Sequence, residues 1–151
     1  MTDAVGRPPS TTRQQENSMD SHLHIRAVSP NRVAGAVVGA CHTLIGMAGL
    51  TLSAITGFAL GETSRLLVFQ ANPLYSLLHV VLGIALGLAA YRGLRHAMLM
   101  NSIAGALYGA LGFVGLILLG TGTHPLAGTG PDSVLHLSSA VVLLGVSAVR
   151  R

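Results

Sequence analysis

The chain has no lysine, no tryptophan and a single cysteine in 151 residues, and only 9% of it is charged. The one cysteine, Cys41, lies inside the first apolar run, so neither an intramolecular disulfide nor a thiol-based zinc site is available. Nine arginines stand against five acids, a formal net charge of +4, but the arginines sit at the ends of apolar runs instead of clustering on one surface. That pattern excludes a nucleic-acid footprint. A hydrolase triad, a zinc spacing and a nucleotide fingerprint are all missing. Gly120-Thr121-Gly122 and Gly128-Thr129-Gly130 have no strand before them and read as linkers, not phosphate loops. No catalytic residue, no metal site and no firm cofactor is expected, and the chain does not read as an enzyme.

What is present is apolar length. Half of the residues are hydrophobic and the mean hydropathy is +0.61, too apolar for an ordinary soluble domain of this size. Pro73 to Tyr91 carries no charge, which at ~1.5 Å per residue roughly matches the ~30 Å hydrocarbon core of a bilayer. The same reading gives spans at about 33–58, 73–91, 98–119 and 133–149. The expected fold is all-α, an integral membrane four-helix bundle over residues 33–151, with residues 1–32 as a disordered basic tail. Met19 is an alternative start within that tail, and His22 and His24 are read there as solvated. Ala59-Leu60-Gly61 resembles a cleavage site, but the long polar lead and the overlong apolar run favour an uncleaved span. Residues 66–72, LLVFQAN, are too short to cross and are expected at the membrane surface.

Orientation follows from the arginines, with Glu62 and Asp132 read as outer-side markers. The tail, the 92–96 turn and the C-terminus hold eight of the nine, so both termini are expected in the cytoplasm of a bacterial cell, the protein being a multi-pass component of its inner membrane.

The spans repeat. AGAVVGA at 34–40 resembles AGALYGA at 104–110, and Ser76, Leu78 and His79 align with Ser133, Leu135 and His136. This predicts two tandem helical hairpins related by an axis along the membrane normal. Gly35, Gly39, His42, Gly46 and Gly49 form one helical stripe, and Asn101, Gly105, Tyr108, Gly112 and Gly115 repeat its offsets. Together with Gly83, Gly87 and Gly109 these glycines are the expected packing seams, because helices in lipid associate by close backbone approach. The bilayer is the first partner; a second copy or another membrane protein is the next.

His42, His79 and His136 are the ionisable groups placed inside the apolar spans, and with Tyr108 they form the candidate polar site. His79 and His136 lie at equal depth and His42 about one turn deeper. Three uses stay open. Neutral imidazoles can bond across the bundle to Tyr75, Ser76, Tyr108, Ser138 or Ser139. His79 and His136 can serve as axial ligands of a b-type haem in an electron carrier. A titrating imidazole can relay protons or serve a small transporter.

Asn72-Pro73-Leu74, Leu78-His79, Gly83 and Leu135-His136-Leu137 carry a resemblance over residues 33–151. On these residues the chain resembles an actinobacterial family of small four-helix membrane proteins, the domain of unknown function DUF4383. The lysine-free, Ala/Gly/Leu-rich composition fits a high-GC bacterial source. The resemblance implies four membrane helices and no assigned activity. The family pattern carries a further histidine in the Asn-Pro-Leu segment, where this chain has Tyr75. The functional expectation is an accessory or structural component of the membrane or of a membrane complex.

Overall fold

In lipid or in a bundle core, a backbone without water must satisfy its own hydrogen bonds, so apolar runs of this length become helices. A computed structural model describes residues 29–56, 64–66, 69–119 and 130–149. Four helices account for most of them: α1, Pro30–Thr56; α2, Pro73–Arg92; α3, Leu94–Leu118; and α4, Gly130–Ser147. Before α2, β1 (Ser64–Leu66) pairs antiparallel with β2 (Phe69–Ala71), Arg65 opposite Gln70. The segment expected simply to lie at the membrane surface is thus folded back on itself. Three helices, α1, α2 and α3, are long and apolar enough to cross a membrane. The 18 residues of α4 would rise ~27 Å. Residues 1–28 of the expected tail, the 120–129 linker, Glu62 and the terminal Arg150 and Arg151 lie outside the described residues.

Three helix starts differ from expectation: α4 begins at Gly130 instead of 133, and the other two have local reasons. The first helix begins at Pro30, three residues inside the expected tail, because Ser29 and Pro30 start a helix well. The Ser29 carbonyl accepts from the Arg32 and Val33 amides at 2.9 and 3.1 Å. Those first residues also have tertiary partners. Asn31 Nδ2 donates to the Val149 carbonyl at 2.9 Å, and Arg32 Nε donates to the Ala90 carbonyl at 2.8 Å. The third helix begins at Leu94, not 98, since the basic 92–96 turn shrinks to one residue. Gly93 makes it at φ 124°, a backbone conformation that side chains rarely tolerate.

The helices pair as two antiparallel hairpins. α1 packs along α2 and α3 along α4, and the two pairs meet on a narrower seam. Within each pair the same contact recurs. A Cβ on Gly46 or Gly49 would strike Ser76, and one on Gly112 or Gly115 would strike Ser133. Gly39 faces Leu86 and Gly87, while Gly105 faces Leu143 and Leu144. A shift of 66 residues therefore maps α1 onto α3, and one of 57 maps α2 onto α4. The tandem hairpin is real in its packing, in the register of the glycine stripes. The AGAVVGA and AGALYGA match lies one helical turn away from it.

Close backbone approach explains most of the glycines. A Cβ on Gly35 would come within 2.8 Å of Asn101 Oδ1, and one on Gly39 within 2.7 Å of the Gly83 carbonyl. Gly109 has ordinary room, 3.6 Å from Ala140 Cβ, and a side chain on Gly87 would meet nothing within 4 Å. Outside the seams the surface is apolar. Leu44, Ile55, Phe113 and Val141 are each more than 60% exposed, as lipid-facing residues would be.

Candidate functional site

Among the described residues many polar side chains are buried between the helices and many large apolar ones are exposed, so the core is where chemistry must be sought. Asn72 caps α2 by accepting from the Leu74 and Tyr75 amides at 2.9 and 3.4 Å, with Pro73 at the first helical position. That cap fixes the start of α2, and hence the direction of Tyr75 and, one turn later, of His79. α4 presents His136 at the depth of His79, as the 57-residue shift requires.

Three histidines from three helices meet here. His42 of α1, His79 of α2 and His136 of α4 are 1%, 3% and 0% exposed. His42 Nδ1 lies 3.3 Å from His79 Nδ1, and His79 Nε2 lies 3.0 Å from His136 Nε2. The outer nitrogens are occupied as well: His42 Nε2 is 3.0 Å from Ser139 Oγ, and His136 Nδ1 is 3.1 Å from the Tyr75 hydroxyl. Tyr108 of α3 completes the layer. Its ring stacks on His42 with centroids 4.2 Å apart and lies nearly parallel to His136 at 5.5 Å. His42 is thus in the same layer as the other two histidines, not a turn deeper.

A neutral imidazole has one N–H and one lone pair, so the run can be satisfied in one direction at a time. In one direction Ser139 O–H donates to His42 Nε2, His42 Nδ1–H to His79 Nδ1, and His79 Nε2–H to His136 Nε2. His136 Nδ1–H then donates to the Tyr75 oxygen. Reversing every donor gives the other direction. Either way no ring nitrogen is left without a partner, and His79 is the link on which both halves depend.

The run reaches from the first turn of α2 to the middle of α4 and stops there. Beyond it lie Leu86 and Leu143, both 0% exposed, with Ala104 and Ala140 around them. Further along, at the α1 N-terminal end, Asn101 Nδ2 donates to the Asn31 carbonyl at 2.9 Å and to Asn31 Oδ1 at 3.2 Å. Two polar layers are therefore separated by an apolar one. His79 Nε2 and His136 Nε2, the axial pair suggested for a haem, stand in hydrogen-bond contact at 3.0 Å, closer than two axial nitrogens on one iron would stand.

Of the sequence-derived candidates, His42, His79, His136 and Tyr108 come together. Of the suggested partners, Tyr75 and Ser139 join them, Ser76 serves the glycine seam, and Ser138 bonds back to the Leu135 carbonyl of its own helix. Asp132, read from sequence as an outer-side marker, is only 2% exposed. The shift of 57 residues makes it the counterpart of Tyr75, and that shift was the signal that could have found it. The same shifts pair His42 with Tyr108 and His79 with His136. The centre thus straddles the axis between the hairpins, symmetric in position and unsymmetric in chemistry.

No curated protein and no solved structure matches the chain. The family model of a domain of unknown function, DUF4383, matches residues 32–149, which takes in nearly all of α1 and the whole of α2, α3 and α4. The chain therefore belongs to the DUF4383 family.

Proposed function

We propose that this protein is a multi-pass component of the bacterial cell membrane, with four spans and both termini cytoplasmic, that serves as an accessory or structural member of a membrane assembly. The observation that carries this reading is the polar clasp: a packed histidine and tyrosine layer closes the seam between two hairpins whose outer faces are apolar all round. Polar groups buried between helices fix which faces meet and leave the lipid-facing surfaces free for neighbours. α4 is taken to cross as well because it runs antiparallel along α3.

A proton relay is the second reading, favoured by the continuous run from Tyr75 to Ser139. It needs a path through the Leu86 and Leu143 layer, which offers no donor or acceptor side chain. Transport of a larger solute would need those leucines to part.

Two measurements test the proposal. A phosphatase fused after Arg151 should be inactive, because eight of the nine arginines flank the same side; an active fusion would reverse the topology. Mild-detergent extraction of native membranes, after cross-linking, should recover the chain with a stoichiometric membrane partner or a second copy. Migration as a lone monomer after cross-linking would remove the accessory role.

A further inference from the structure

The histidine layer has a property that a packing clasp does not need. Each of His42, His79 and His136 offers one ligand nitrogen to a set whose members all lie within 4.8 Å of one another, on three different helices. A tetrahedral ion held at ~2.0–2.1 Å by imidazole would set its nitrogens roughly 3.3 Å apart. The His42 Nδ1 to His79 Nδ1 spacing is already 3.3 Å. His136 Nε2, 3.0 Å from the other nitrogen of His79, closes the set by turning toward the gap between His42 Nδ1 and His79 Nδ1.

The surroundings are those of a ligand cluster. Metal-bound histidine usually gives its other ring N–H to a fixed oxygen, which settles the tautomer and aims the free lone pair. Ser139 Oγ stands on the outer nitrogen of His42 and the Tyr75 hydroxyl on that of His136, so the inner nitrogens of both face the His79 ring, His42 at its Nδ1 and His136 at its Nε2, and one of these two faces must be given up for a shared ion. A buried carboxyl group is near in the same helix: Asp132 lies in the first turn of α4, one turn before His136, and is 2% exposed. The Tyr108 hydroxyl is buried in this layer with no partner among the described residues, a donor for a water or anion that an ion would carry. A groove of about 210 Å³ between α1 and α4 has His42 and Ser139 in its lining, so the layer is approachable from the side of the bundle.

We propose that His42, His79 and His136 form a buried three-histidine site for one divalent first-row transition-metal ion, zinc or copper, at the junction of the two helical hairpins. Imidazole donors suit these ions, and three protein ligands leave a fourth position open. Binding joins α1, α2 and α4 through one atom, and so locks the hairpins together. The inference stands apart from the accessory role, since it needs no partner.

The test uses the full chain, purified in detergent, stripped with chelator and titrated with Cu²⁺ and with Co²⁺. One equivalent should bind. The Cu²⁺ resonance spectrum should show hyperfine splitting from three nitrogens, and Co²⁺ should give the intense visible bands of a tetrahedral site. His79→Gln should lose the stoichiometric site, whereas a double variant, His22→Gln with His24→Gln, should keep it. Tyr75→Phe should weaken binding by ~10–100-fold while leaving stoichiometry intact. The nitrogen count is read on the unaltered protein and so does not depend on any variant folding. Binding that survives His79→Gln, that disappears with the tail histidines, or that shows fewer than three nitrogens on copper would overturn the site.

Discussion

Gly83→Val should separate α1 from α2 and cost about 3 kcal/mol, near the upper end of what overpacking does in a close-packed core. A Cβ at position 83 would strike Thr43 Oγ1 and would come within 2.6 Å of the Gly39 carbonyl and 2.7 Å of the Thr43 amide. The last two are backbone atoms, which cannot swing aside as a side-chain tip can. Relief requires the helix axes to move apart, and that releases the contacts at Gly39 and Gly46 along the same seam. Lipid supplies no compensating hydrophobic force between helices, so the lost van der Waals contact is not regained elsewhere. Gly87→Ala is the control. One turn further along α2, its new methyl meets nothing within 4 Å. Replacing glycine in a helix should then gain up to about 1 kcal/mol. Reversible unfolding in mixed micelles, followed by circular dichroism, would measure both. Equal stabilities for the two variants would mean that the seam is not what holds the hairpin.

The fold was legible because a membrane leaves few options. Charge-free runs of twenty residues and glycines at helical spacing are direct consequences of hydrocarbon thickness and close packing. Helix ends were less legible. Nothing in the composition of RVAGAVVG says that Asn31 and Arg32 have distant carbonyl partners and so belong to α1. Nor does the row of arginines after Tyr91 show that Gly93 alone turns the chain. The 70-residue match of AGAVVGA with AGALYGA misled by one turn, because Ala/Gly sequence aligns in several registers and contact geometry accepts one.

For the site, the rule that a buried ionisable group in a span has a purpose found all three histidines. It placed His42 too deep, since depth was counted from residue 33 while α1 starts at Pro30 and, at 27 residues, is seven longer than α2. Counting along one helix cannot see how far an antiparallel neighbour slides past it. The burial of Asp132 is hidden from the sequence for a related reason. A carboxylate beside Pro131 at a helix start looks solvated in sequence, and only the packing of α4 against its neighbours buries it.

His79→Leu should be the most damaging single change in the polar layer, at about 2–4 kcal/mol under metal-free conditions. Interhelical hydrogen bonds in membrane bundles average only ~0.6 kcal/mol, so losing two average ones accounts for about 1.2 kcal/mol, less than the lower end of that range. The rest comes from what is left behind. With leucine at 79, His42 Nδ1 and His136 Nε2 both face hydrocarbon, and each stranded buried polar group costs ~1–3 kcal/mol. Gln at 79 can still serve one neighbour and should cost less, on the order of 1 kcal/mol by the same reckoning. His136→Leu strands His79 Nε2 and the Tyr75 hydroxyl, but Tyr75 at 8% is more exposed than His42 at 1%, so its loss should be milder. His96, exposed near the start of α3, is the control, and its replacement by Gln should stay within about 0.5 kcal/mol. Unfolding of the four variants under chelation separates the clasp from any bound ion. If His79→Leu were as stable as His96→Gln there, the run from Ser139 to Tyr75 would not be what joins the hairpins, and the glycine seams within each pair would be left to carry the fold.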